Sequence, residues 1–165
     1  MIEPKILTNS IDTIKNELFV GVIGKNEFLE LLDKDLIQNK ENIALISIHD
    51  PDADLHSDNI LEGFGSVLQI KFWDIEEDIG NYKSISKEQG KELKDYIIKN
   101  YDKKFLIHCH AGQSRSAGVA LATECILNHN ANRYDFQTSY SALKAHPTDR
   151  YSPNFTIYDC ILGDL

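Results

Sequence analysis

The chain has little cysteine, a shortage of positive charge and no long apolar run, and each of these closes off a class of protein. Its three cysteines, Cys109, Cys125 and Cys160, cannot all pair, and they show neither C-x-x-C spacing nor the density of a disulfide scaffold, so a reducing cytoplasm is the expected compartment. Lys and Arg number 17 against 26 Asp and Glu, a formal net charge of -9. That balance argues against a nucleic-acid binder, whose affinity comes from clustered cations displacing counterions. It also requires that any anionic substrate be captured by local positive charge. No apolar stretch approaches the roughly 20 residues of a membrane helix, and the opening Met1-Ile2-Glu3-Pro4-Lys5 lacks the features of a secretory signal, so no membrane association is expected. Internal repeats, low-complexity segments and Gly/Ser-rich linkers are also missing.

What is present suits one domain over residues 1–165. The length is enough to bury a core without metal or disulfide support, and 42% apolar with 26% charged residues is an ordinary globular balance. Strand-length apolar runs occur at Ile43 to Ile48, Val67 to Trp73 and Phe105 to Ile107. Ser86 and Gln89, three apart, fit a capping box, and Leu93, Tyr96 and Ile97 follow at helical spacing, which predicts a helix over Ser86 to Lys99. Residues Ser116 to Asn128 are apolar on most faces and read as a buried helix starting directly after a strand. Two more helices are predicted, about Tyr134 to Ala145 and Asn154 to Leu162, separated by His146-Pro147 and Ser152-Pro153. Strands alternating with helices predict an α/β fold, a single layered domain whose central, mostly parallel sheet is flanked by helices.

The chemistry concentrates in Ile107-His108-Cys109-His110-Ala111-Gly112-Gln113-Ser114-Arg115-Ser116. A cysteine ends a strand, an arginine follows six residues later, and the chain between them must turn into a helix. A helix N-terminus offers unpaired N–H groups and a partial positive charge, so this loop can cradle an oxyanion. Arg115 adds a planar fork able to hold two phosphate oxygens. The same field favours the thiolate of Cys109, the form that attacks. In-line attack on phosphorus followed by hydrolysis of the thiophosphate needs no metal or other cofactor, because Arg115 and the amides of residues 110–115 neutralise the charge. Ser116 can donate its hydroxyl to the departing sulfur.

His108-Cys109-x5-Arg115-Ser116 with Gly112 resembles the signature loop of the protein tyrosine phosphatase superfamily in its small dual-specificity form. Ile46-Ser47-Ile48-His49-Asp50-Pro51 and Tyr151-Ser152-Pro153-Asn154 are also similar to segments of small members of that superfamily. The resemblance implies a general acid from an upstream aspartate. Asp74, 35 residues before Cys109 (109 − 74), ends the apolar run of the second strand and would emerge on the sheet's carboxyl edge. Asp78 is its rival within Glu76-Glu77-Asp78. The loop lacks the Trp-Pro-Asp sequence of the larger tyrosine-specific enzymes, and the chain is too short for their added recognition loop. Substrate-binding roles fall on His110, Ala111, Gly112, Gln113, Ser114 and Arg115, and supporting roles on His108 and Asn154, the latter either capping the last helix or steadying the signature loop.

Other patterns carry blander readings. Cys125 and Cys160 fill core. His108-Cys109-His110 does not read as a metal site, since adjacent residues on a strand point to opposite faces and no second ligand pair with zinc spacing appears. Asp50, Asp52, Asp54, His56 and Asp58 alternate like a calcium loop, but Leu55 and Leu61 stand where glycine and glutamate belong, leaving a solvated loop. Gly21-Val22-Ile23-Gly24-Lys25 fails as a nucleotide loop, because Phe19 and Asn26 occupy two defining positions. The expectation is therefore a monomeric, metal-free phosphatase of phosphoproteins that acts on phosphotyrosine and, with a shallow pocket, also on phosphoserine and phosphothreonine. The competing readings are a phosphoinositide or inositol-phosphate phosphatase, an RNA 5'-phosphatase, and an inactive phosphate-binding module.

Overall fold

The computed structural model describes residues 20–130 and 152–163. The elements run β1 (Val20–Gly24), α1 (Lys25–Asp33), a short 3-10 turn (Lys40–Asn42), β2 (Ile43–His49), β3 (Ser66–Lys71), α2 (Lys87–Lys99), β4 (Lys104–Cys109), α3 (Arg115–Asn130) and α4 (Phe155–Leu162). The strands form one sheet in the order β1-β4-β2-β3, and all three pairings are parallel. The predicted α/β class and parallel sheet are what the structure shows.

Alternation along the strands divides the core. Val22, Ile46, Ile48, Ile107 and Cys109 point into a cluster with Leu93 and Ile97 of α2, Ala120 of α3 and Ile157 of α4. Ile23, Ile43, Leu45 and Leu106 point into a second cluster with Phe28 and Leu31 of α1. Residues of opposite parity thus serve opposite faces, which is why these strands read as unbroken apolar runs and not as alternating ones. At roughly 1.5–3 kcal/mol for each large apolar side chain removed from water, the two clusters are the main source of stability.

The local signals match their elements closely. Ser86 accepts from the Gln89 N–H and the Gln89 side chain accepts from the Ser86 N–H, so the predicted capping box is formed. Asn154 caps α4, its side chain accepting from the Ile157 N–H at 3.2 Å. The buried helix after β4 is α3. The segment read as a failed nucleotide loop is β1 and the start of α1, two elements the sequence reading did not place. The helix expected over Tyr134 to Ala145 lies outside the described residues. No helix among the described residues is long and apolar enough to cross a membrane.

Candidate active site

In a parallel sheet every strand delivers its C-terminal end to the same edge, and ligands bind there. Register places Gly24 beside Cys109, and His49 beside Lys71. Segment 24–25, Asp50, Asp74 and the signature loop therefore meet at one edge although they are far apart in sequence.

The loop after Cys109 is held from outside. The His110 carbonyl accepts from the Lys25 N–H at 3.0 Å, the Gln113 carbonyl from the Ser152 N–H at 2.8 Å, and the Ser114 carbonyl from the Asn154 N–H at 3.1 Å. A trans peptide sends its N–H opposite to its C=O, so the amides of Ala111, Ser114 and Arg115 point away from those partners. This is how a loop turns several donors toward one anion. Gly112 makes the turn possible. Its φ is +72°, and a Cβ there would meet the Gly24 N and the Ile23 carbonyl carbon at 2.5 Å. Gly112→Ala is therefore expected to cost roughly 2 kcal/mol or more of stability by chemical denaturation and to disable the loop.

Cys109 is buried. Its Sγ lies 3.2 Å from Ser116 Oγ, and the Gly112 N–H donates to it at 3.3 Å. Both groups are placed to stabilise negative charge on sulfur. Arg115 begins α3 and is buried. Its Nη1 donates to Asp50 Oδ1 at 2.7 Å and to the Phe72 carbonyl at 2.9 Å. Its Nε is buried without a partner among the described residues. An unpaired buried donor costs about 1–3 kcal/mol, a cost that an anionic oxygen would remove.

Asp74 is tied to the loop. Its Oδ1 accepts from Ser114 Oγ at 2.7 Å and from Asn154 Nδ2 at 3.1 Å, and Asn154 Nδ2 also reaches the Ile75 carbonyl at 3.2 Å. Asp78 is occupied elsewhere: its Oδ1 accepts from the Ser84 N–H and hydroxyl, and those bonds, backbone first, hold its carboxyl below the usual range. Asn154 has both of the roles considered for it, capping α4 through its oxygen and bracing the signature and acid loops through its N–H and amide. His110, Ala111 and Gln113 are exposed around the loop, and Ser114 is half-buried.

Three residues on the α1 side of the sheet were not foreseen as site residues. His108 Nδ1 lies 3.2 Å from the Cys109 carbonyl, while Nε2 meets Ser47 Oγ at 2.6 Å and His56 Nε2 at 3.0 Å. Ser47 Oγ is also 2.8 Å from His49 Nε2. The signal was in β2: Ser47 and His49 are the polar positions of an otherwise apolar strand, two apart and hence on one face, and Ser47 registers with His108. Segment 50–58 is not wholly a solvated loop either, because Asp50 pairs with Arg115 and His56 is buried.

Burial pushes His108 down to about 3 and, with His49 nearby, His56 to about 4. It also lowers His49. These rings are neutral when folded and ordinary when unfolded, so between those values and about 6.5 the unfolded chain binds more protons. Their contribution is complete above about pH 6.5 and is lost as pH falls toward 4 and 3. Melting temperature in chelator-containing buffer should therefore drop steadily below pH 6.5, and less steeply in His56→Gln.

No known sequence family matches this chain, and no curated protein does. Solved structures do. The chain has the fold of the dual-specificity and tyrosine phosphatases. It resembles the Cydia pomonella PTP-2 phosphatase at 22% identity and TM-score 0.57, covering 91% of this chain and 86% of that one. It resembles the human tyrosine phosphatase-like serine/threonine/tyrosine-interacting protein at 18% and 0.54, covering 90% and 91%, and DUSP15 at 20% and 0.54, covering 86% and 80%. The phosphatase fold accounts for the edge at which Cys109, Arg115 and Asp74 meet.

Proposed function

We propose that this protein is a cysteine-dependent phosphatase of phosphoproteins, acting on phosphotyrosine through a phosphocysteine intermediate. The observation that carries this reading is the pairing of a buried thiol, in contact with Ser116 and the Gly112 amide, with a buried arginine whose Nε has no partner among the described residues. Nucleophile and anion-binding fork thus stand on one loop. Cys109 Sγ attacks phosphorus as the ester oxygen leaves. Arg115 and the loop amides hold the equatorial oxygens. Asp74 gives its proton to the leaving oxygen and then takes one from the water that releases phosphate, as Ser116 assists the departing sulfur. Asp74 Oδ2, which accepts no bond among the described residues, is the oxygen open to that proton.

The acid loop favours an aromatic ester. Trp73 packs edge-on against Tyr82 at 5.2 Å, and Tyr82 and Ile79 are 55% and 59% exposed, a ring-lined surface beside Asp74. A phosphoinositide substrate is less well served, since His110, Ala111, Gln113 and Ser114 place no further fixed cation in the loop. PTPMT1, a structural neighbour at 15% identity and TM-score 0.52, was solved in complex with PI(5)P.

Hydrolysis of a phosphotyrosyl peptide in the presence of chelator tests the proposal. Turnover is expected, with Asp74→Ala lowering kcat by about 10²–10⁴-fold and Asp78→Ala leaving it nearly unchanged. A folded protein that binds the phosphopeptide without turning it over would instead be a recognition module.

A further inference from the structure

Opposite the thiol side of the sheet, three buried imidazoles converge. One ring nitrogen each from His49, His56 and His108 lies within 4.8 Å of the others, and the side chains are 3%, 9% and 0% exposed. Phe28 stacks on the His108 ring at 4.6 Å and tilts against His56 at 5.6 Å, giving the cluster an apolar wall.

The proton inventory of this cluster does not settle easily. The Cys109 carbonyl can only accept, so His108 Nδ1 carries the proton and Nε2 presents a lone pair. That single lone pair is approached both by Ser47 Oγ at 2.6 Å and by His56 Nε2 at 3.0 Å. Gln69 is fixed in orientation, its Oε1 accepting from the His56 N–H at 2.8 Å and its Nε2 donating to the His56 carbonyl at 3.0 Å. Hence Oε1, 3.1 Å from His49 Nε2, is a further acceptor aimed at the cluster. With the Ser47 hydroxyl donating to that lone pair, His56 Nε2 faces His108 Nε2 at 3.0 Å with no second lone pair to meet, a mismatch that a cation held between the two nitrogens would remove.

We propose that His49, His56 and His108 form a buried site for a borderline transition-metal dication of the zinc class, with Ser47 Oγ or Gln69 Oε1 beside it as an oxygen donor. In tetrahedral coordination with metal–nitrogen bonds of about 2.0–2.1 Å, ligand nitrogens stand about 3.3 Å apart. The His56–His108 pair is already at 3.0 Å, and the His49 nitrogen lies within 4.8 Å of both. His108 has the outer contact that ligating histidines use, its other nitrogen donating to a carbonyl. The charged groups acting on the rings are Lys25, Lys71 and Arg115, which oppose a bare dication. Coordinate bonding must therefore supply the affinity, which excludes the oxygen-seeking magnesium and calcium ions. The ion takes no part in the phosphoryl transfer proposed above, but through His108 it would bear on the base of the nucleophile loop.

Chelator-stripped Cys109→Ser protein, in which no thiolate of the loop can compete, is titrated with Co²⁺. The expected result is a visible absorption spectrum of tetrahedral cobalt saturating at one equivalent, displaced by Zn²⁺, with X-ray absorption showing three imidazoles. His49→Gln and His56→Gln, checked for folding by circular dichroism, should weaken binding by about 100-fold or more, and His110→Ala should not. An absence of binding, binding indifferent to both glutamine variants, or a cobalt shell without imidazoles overturns the site. None of these outcomes depends on turnover, so the phosphatase proposal and this one fail separately.

Discussion

Replacing Cys109 by Ser is expected to lower kcat for a phosphotyrosyl peptide by on the order of 10⁴-fold or more, the largest effect of any single change in this protein. The substitution keeps size and burial and removes only the proposed nucleophile. A hydroxyl is a far weaker nucleophile than a thiol at neutral pH, and the dipoles placed around the sulfur, Ser116 at 3.2 Å and the Gly112 amide at 3.3 Å, do not make up that difference. The loop carbonyls remain clamped by Lys25, Ser152 and Asn154, so the shape of the proposed phosphate cradle is kept. The variant should accordingly hold phosphopeptide with a Kd close to the native KM while failing to turn it over. Turnover at more than about 1% of the native rate would show that Cys109 is not the nucleophile. Binding lost together with turnover would show that the cradle depends on the thiolate.

Arg115→Lys should rank second, with kcat/KM reduced on the order of 10³-fold although the formal charge is unchanged. In the proposed reaction the guanidinium has two tasks at once. Nη1 anchors it to Asp50 at 2.7 Å and to the Phe72 carbonyl at 2.9 Å, and Nε, without a partner among the described residues, is left for the phosphate of the proposed reaction. A lysine ammonium is a point charge on a flexible stem and cannot be anchored and bidentate together. Asp50 is a positioning residue, so Asp50→Asn should lower kcat/KM less than Arg115→Lys does and should add little in its background. Independent, additive losses would mean that Asp50 acts on something other than Arg115.

The sequence was informative wherever neighbours along the chain settle the physics. The strand runs, the capping box at Ser86 and Gln89, the α/β class and the Cys109-x5-Arg115 loop all rest on local spacing. β1 was missed because five residues containing two glycines give too weak an apolar signal, and α1 because its helical face is short. Its burial against Ile23 and Leu106 stabilises it, not an evident cap.

By itself, then, the sequence determined the class of fold, and it picked out the proposed nucleophile loop and a shortlist of acids, since each depends on contacts a few residues apart. Only the tertiary structure decided that Asp50 leaves its acidic run to anchor Arg115 across 65 residues, and that Asp74, not Asp78, is tied to the loop. The same holds for His49, His56 and His108, three histidines with no spacing in common that meet on one face. The reason is parallel register: it lays Ser47 beside both His108 and Gln69 and brings every strand's carboxyl end to one edge, and no local pattern records which strand will lie next to which.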